Sequence, residues 1–243
     1  MRHIFITSDK YQFCLKGLQQ LIKKHWNDPS AKFTIIGFSE PDVKILDGFE
    51  FIKLGENFND NTPWFETLTP YLNQLEDDYF FLGLEDHFPI QEVDIEYLKK
   101  ASQIMEKDEK VMKIRLYPKY DSNTTKGDYN EDFYIAKTHV NSYIPTSLRP
   151  AIWRKEFFLR LLGTSASPHH FEVNNNSTEF SDLVLIPKVN HAIYTDCDAM
   201  RCGIINEQTL RDGLVDMGYY TMNLSKEDLL VFDEVREFMN KRI

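Results

Sequence analysis

The sequence has no apolar run approaching the roughly eighteen residues that a membrane span requires. It also lacks an N-terminal apolar segment leading to a small-residue cleavage site. Both absences predict an uncleaved, soluble chain working in the cytoplasm, with at most peripheral contact with a membrane. Cysteine is scarce. Cys14, Cys197 and Cys202 form an odd set with no C-x-x-C spacing, which excludes a disulfide scaffold, a zinc knuckle and a dithiol redox pair. Cations are also in deficit, 28 Lys and Arg against 38 Asp and Glu, and a net charge of -10 repels a phosphate backbone. No nucleic-acid partner is expected. Glycine never clusters into a dinucleotide fingerprint or a P-loop, which argues against a Rossmann dehydrogenase and a nucleotide triphosphatase. The histidines show neither H-x-x-x-H nor H-E-x-x-H spacing, so a zinc hydrolase has little support.

What is present is apolar and aromatic mass. At 42% hydrophobic and 14% aromatic, 243 residues suffice for one large core or two closely packed lobes. Short apolar runs at His3 to Ile6, Lys32 to Phe38 and Phe49 to Leu54 end in polar or glycine-bearing turns and read as strands. Cys14, Leu18, Leu21 and Ile22 fall at helical spacing between the first two. Thr62-Pro63 reads as an N-cap followed by proline in the first turn, with Trp64, Leu68, Tyr71, Leu72 and Leu75 on one helical face. Tyr79 to Leu84 is apolar throughout rather than alternating, the pattern of a strand covered on both faces. A helix over 94–107 and a strand at Val111 to Leu116 continue the β-α-β rhythm.

From Pro118 to Asn130 the sequence turns polar, and the stretch from Tyr120 to Asp132 is expected to be a mobile loop able to close over a ligand. Phe133 to Lys137, Leu183 to Ile186 and Ala192 to Tyr194 read as strands. Trp153, Phe157, Phe158, Leu161 and Leu162 read as a short helix after Pro150, and Ser225 caps a closing helix. Alternation of strands and helices predicts an α/β fold with an open, mostly parallel central sheet flanked by helices and a smaller, mixed C-terminal part. No linker divides it.

Ligands of such sheets bind beyond the carboxyl ends of the strands, where two polar clusters are expected. Glu85-Asp86-His87 follows the covered strand. Carboxylates there either hold a hard divalent cation, which in turn holds a diphosphate, or simply terminate the strand. Thr7-Ser8-Asp9 follows the first strand. Capping by Ser8 or Asp9 is compatible with a helix N-terminus that offers backbone donors to a uracil, ribose or phosphate group. Further on, Glu172 is flanked by Phe171 and Val173 in a histidine-rich segment, either as a general base of raised proton affinity or as a paired acid remote from substrate. Trp64 and Trp153 read as core residues rather than sugar-stacking platforms.

Several blocks carry a resemblance when taken together: Thr7-Ser8-Asp9-Lys10-Tyr11, Pro63-Trp64, the run from Tyr79 to Phe88, Ser147 to Arg154, and His170-Phe171-Glu172. In their order and rough spacing, from the first strand to about residue 210, they resemble a small family of GT-A-fold glycosyltransferases. These are nucleotide-diphospho-sugar transferases of bacterial surface-polysaccharide clusters and large algal viruses. The resemblance implies a single GT-A-like domain over 1–243, with a nucleotide-binding half at about 1–117 and an acceptor-side half at about 118–243. It implies transfer of a hexosyl or deoxyhexosyl group from a nucleoside-diphosphate sugar to a glycan or lipid-linked acceptor, with inversion, assisted by Mn2+ or Mg2+. Thr7, Ser8, Asp9 and Tyr11 would face the nucleoside, and Glu85 and Asp86 the diphosphate. Asp86 would contact the metal, with His191 as a later metal contact, and Glu172 would act as base. Leu84 stands where the general Asp-x-Asp pattern has its first aspartate. A metal-dependent hydrolase and a non-catalytic glycan-binding module remain as alternatives.

Overall fold

The computed structural model describes residues 1–240 except 57, 60, 119–123, 139–141, 143, 164, 176–182, 189–192, 195, 199, 202–203, 206–213 and 217–220. The first half runs β1 (Arg2–Ile6), α1 (Cys14–His25), β2 (Phe33–Gly37), β3 (Phe49–Lys53), α2 (Trp64–Gln74), β4 (Tyr79–Leu84), β5 (His87–Pro89), α3 (Ile95–Lys107) and β6 (Val111–Arg115). The second half supplies β7 (Thr124–Asp128), β8 (Phe133–Thr138), β9 (Ala151–Arg154), α4 (Lys155–Leu162), α5 (Pro168–Asn175), β10 (Leu183–Pro187), β11 (Asp196–Asp198) and the closing α6 (Lys226–Asn240).

Nine strands form one sheet in the order β3-β2-β1-β4-β9-β6-β10-β8-β7. Seven of them run the same way, with only β9 and β8 reversed, as the pairings show. The α/β class and the open, mostly one-directional sheet expected from the sequence are therefore observed. The two halves are interleaved, because β9 from the second half lies antiparallel between β4 and β6.

Alternation along the central strands explains the two-sided core. Phe5 and Phe81 pack with Leu18 of α1, Ala101 of α3 and Phe232 of α6 on one face. Ile4, Ile6, Phe80 and Leu82 pack with Leu68 of α2, Phe158 of α4 and Phe171 of α5 on the other. This is why Tyr79 to Leu84 shows no polar alternation. Buried cations are held by backbone carbonyls. Arg154 donates to Val111 O at 2.9 Å and to Met105 O and Asp108 O at 2.7 and 3.1 Å, closing the C-terminal end of α3. Lys113, fully buried, donates from Nζ to Ile144 O, Pro145 O and Ser147 O and lies 3.8 Å from the Trp153 ring centroid. Burial pulls its pKa well down, the Arg115 charge adds to this, and the Glu172 charge opposes it.

The structure corrects several local expectations. Thr62 does not cap α2. Its hydroxyl accepts from Asn59 N, and Pro63 is the cap residue. Trp153 belongs to β9, so the helix begins only at Lys155. The expected loop contains β7 at Thr124–Asp128, paired with β8, while 119–123 lie outside the described residues. Ile193 and Tyr194 are not in a strand, and both donate backbone N–H to Leu116 O.

His3 sits beside Trp26, Phe33 and Phe81, with its Nδ1 3.2 Å from Lys32 O. Burial lowers its pKa from 6.5 to about 4. The folded chain therefore stays unprotonated at His3 down to about pH 4, while the unfolded chain takes up that proton below about 6.5. Stability should fall as pH drops through this window, by about 3 kcal/mol from this residue. Urea unfolding of His3→Phe between pH 7 and 4 should show a flatter profile than the wild type.

Candidate functional site

The parallel register of β1 and β4 sets Ile6 opposite Leu84 and so brings Thr7-Ser8 beside Glu85-Asp86 at the carboxyl ends of both strands. The ladder continues one step past each strand, with Thr7 N donating to Ile36 O at 2.9 Å and Glu85 N to Ile6 O at 3.1 Å. Gly83 permits this close pairing, since a Cβ there would lie 2.6 Å from Phe5 Cε1. Ser8 does not use its side chain as a helix cap. Its N–H and its hydroxyl both donate to Glu85 Oε1, each at 3.3 Å.

Glu85 is buried, at 6% exposure. Burial, with the neighbouring Asp86 charge adding to it against the opposing hydrogen bonds, pushes its carboxyl up to about 8. His87 stands behind them, its Nδ1 accepting from Leu84 N at 3.3 Å and its Nε2 3.9 Å from Asp86 Oδ1. The same two acids, after burial itself, push up the thiol of the buried Cys14.

These residues border a cavity of about 360 Å³. Its lining includes the apolar Ile6, Phe38, Leu84 and Trp64 and the polar Thr7, Ser8, Lys10, Tyr11, Glu85 and Asp86. The remaining wall comes from the second half of the chain, at Ala166, Ser167 and Pro168. That strap is fastened to the start of α2, where Trp64 N and Phe65 N donate to Ala166 O and Ser165 O, both at 3.1 Å. Ser167 Oγ in turn accepts from His170 N at 3.1 Å and caps α5. Sequence reasoning missed this strap and Lys10. Trp64 packs in the core as expected but also lines the cavity.

The structure thus brings together Thr7, Ser8, Tyr11, Glu85 and Asp86. Asp9 is placed elsewhere. Its Oδ1 accepts from Ser39 N, Ser39 Oγ and Gln12 Nε2 at 3.1, 2.6 and 3.1 Å, tying the turn after β1 to the loop after β2. Glu172 likewise is not among the described cavity-lining residues. It lies on α5, its Oε1 accepts from Leu148 N at 2.7 Å, and its backbone O accepts from Thr146 Oγ1 at 3.0 Å. The carboxylate fastens α5 to the 146–148 turn. His191 lies outside the described residues.

Among the described residues no group of three or more His, Cys, Asp and Glu is arranged to hold a metal ion. The oxygen donors that are present, Asp86 with Glu85 beside it, fit a hard ion such as Mg2+ or Mn2+ that takes its other ligands from substrate phosphates and water. They do not fit zinc. Among the described residues, no helix is long and apolar enough to cross a membrane.

No protein-family model and no curated protein matches the chain. Among solved structures it is similar to Staphylococcus aureus TarS 1-349 in complex with UDP, at 12% identity and TM-score 0.49, over 80% of this chain and 60% of that one. It is also similar to the galactosyltransferase LgtC in complex with donor and acceptor sugar analogues, at 10% identity and TM-score 0.38, over 66% and 60% of the two chains. A third likeness is to UDP-glucose pyrophosphorylase complexed with UDP-glucose, at 8% identity and TM-score 0.44 over the full length of both. This chain spans only about three fifths of the TarS fragment. Likenesses this distant transfer no residue roles, and the chemistry is read from the site itself.

Asp9→Ala removes three hydrogen bonds to one carboxylate oxygen and should destabilise the ligand-free protein by about 1–2 kcal/mol in denaturant unfolding. An unchanged midpoint would show that the turn is held by other means.

Proposed function

We propose that this protein is a glycosyltransferase that takes a nucleoside-diphosphate sugar as donor and transfers the sugar to an acceptor hydroxyl. The observation that carries the proposal is the placement of Asp86, past the end of a central strand, in the lining of a cavity that it shares with Ile6, Phe38, Trp64 and Tyr11. A nucleoside diphosphate has two parts to match, a flat base and ribose that gain from apolar cover, and a charged group that needs an electrostatic partner.

In this reading Trp64 and Tyr11 offer ring faces to the nucleoside, and Ser8 is fixed by its two bonds to Glu85. Asp86, with Glu85 beside it, would hold a divalent ion, which when bound supplies charge neutralisation for the departing diphosphate. The strap at Ala166 to Pro168 shields one side from water. A hexosyl or deoxyhexosyl donor, a glycan or lipid-linked acceptor and a role in surface-polysaccharide synthesis complete the proposal, and these finer assignments rest on the family resemblance.

Calorimetric titration with the diphosphates of uridine, guanosine, cytidine and thymidine in the presence of Mn2+ tests it. One of them should bind in the micromolar range, and Asp86→Asn should weaken that binding about tenfold, the loss of one charge-assisted contact. If none binds, or if Asp86→Asn binds equally well, the proposal fails. Sugar transfer should survive Glu172→Gln, whose amide oxygen still accepts from Leu148 N, whereas a true base would lose about 100-fold or more.

A further inference from the structure

The described residues lining the cavity include three with ionisable acid or ammonium groups: Glu85, Asp86 and Lys10. Lys10 is therefore the one cationic side chain among them. It is the middle residue of the 3-10 turn Asp9–Tyr11, and both neighbours are anchored. Asp9 is clamped to Ser39 and Gln12, and Tyr11 N donates to Ser8 O at 3.1 Å. The backbone of Lys10 is thus held beside the cavity, while its long side chain is exposed. Its Nζ lies 5.0 Å from the Tyr11 ring centroid, so the ammonium rides over a ring that also lines the cavity.

An anionic ligand entering this cavity meets the charge of Asp86, and in a chain of net charge -10 the surrounding field adds to the repulsion. A terminal phosphate needs a cation close by. Lys10 supplies one within the site, with donors that can turn toward an oxygen without any change in the anchored backbone. Resting on the nucleotide-sugar reading above, we propose that Lys10 is the residue that recognises the second phosphate, so that the site prefers a nucleoside diphosphate over a monophosphate even without a divalent ion. Asp86 and Lys10 then divide the task. The aspartate favours a metal-bound diphosphate, and the lysine retains affinity for the bare one.

The test compares uridine, UMP and UDP, and in parallel guanosine, GMP and GDP, by calorimetry on the intact protein in EDTA. In the series that binds, the wild type should favour the diphosphate over the monophosphate about tenfold, the scale of one charge-assisted contact. The preference should shrink as salt is raised. Lys10→Met should abolish the preference while leaving nucleoside affinity unchanged, and Lys10→Arg should retain it. Because Lys10 is exposed, both variants should fold, with unchanged melting temperatures as the check. A wild type that binds monophosphate and diphosphate equally in EDTA, or a Lys10→Met that keeps the preference, overturns the role of Lys10 and leaves the nucleotide site standing. Absence of binding by every member of both series and by the diphosphates of cytidine and thymidine, with Mn2+ as well as with EDTA, overturns the nucleotide site and this inference with it.

Discussion

The site depends on one buried contact, the pair of hydrogen bonds from Ser8 N and Oγ to Glu85 Oε1 across the ends of β1 and β4. A carboxyl removed from water is costly unless donors meet it. Here the parallel register that sets Ile6 against Leu84 delivers two donors from a single residue. With Glu85 satisfied, the next residue, Asp86, stands at the cavity wall, and Lys10 and Tyr11 follow from the same turn that presents Ser8. The polar lining of the cavity is therefore a direct result of strand pairing, with a glycine at position 83 allowing the two strands to approach past Phe5.

Much of this was legible in the sequence wherever a local pattern answered to a local cause. The unbroken apolar run from Tyr79 to Leu84 marked a strand packed on both sides, and the acids after it marked its carboxyl end. Ser225 signalled a helix start that the structure keeps, with Asp228 N donating to its hydroxyl. Legibility failed where partners are remote in the chain. Trp153 has helical spacing with Phe157, but pairing with Phe80 and Lys113 draws it into a strand. Thr62 lost the capping role because residues 165 and 166 supply the carbonyls that meet the first N–H groups of α2. Glu172 has apolar neighbours in sequence, yet its carboxylate accepts from Leu148 N, in a turn more than twenty residues earlier.

A division of labour also follows. The first half of the chain supplies the chemistry-bearing side chains, and the second supplies cover: the strap at Ala166 to Pro168, and α4 and α5 behind it on the same face. The strap owes its position to α5 and to the 146–148 turn, which Glu172 and the carbonyl-bound Lys113 hold from two sides.

The reversed strand β9, lodged between β4 and β6, carries a consequence for how the chain reaches its native state. During synthesis the amino-terminal portion emerges first, but β4 and β6 cannot become neighbours on their own, because the slot between them is filled by residues 151–154. Until those four residues have left the ribosome, two hydrophobic strand edges stand open. The guanidinium of Arg154, which ties β9 to the end of α3, acts as the latch that closes the gap. Sheet closure is therefore a late, long-range event, and the nascent first half is the interval in which a chaperone has most to protect.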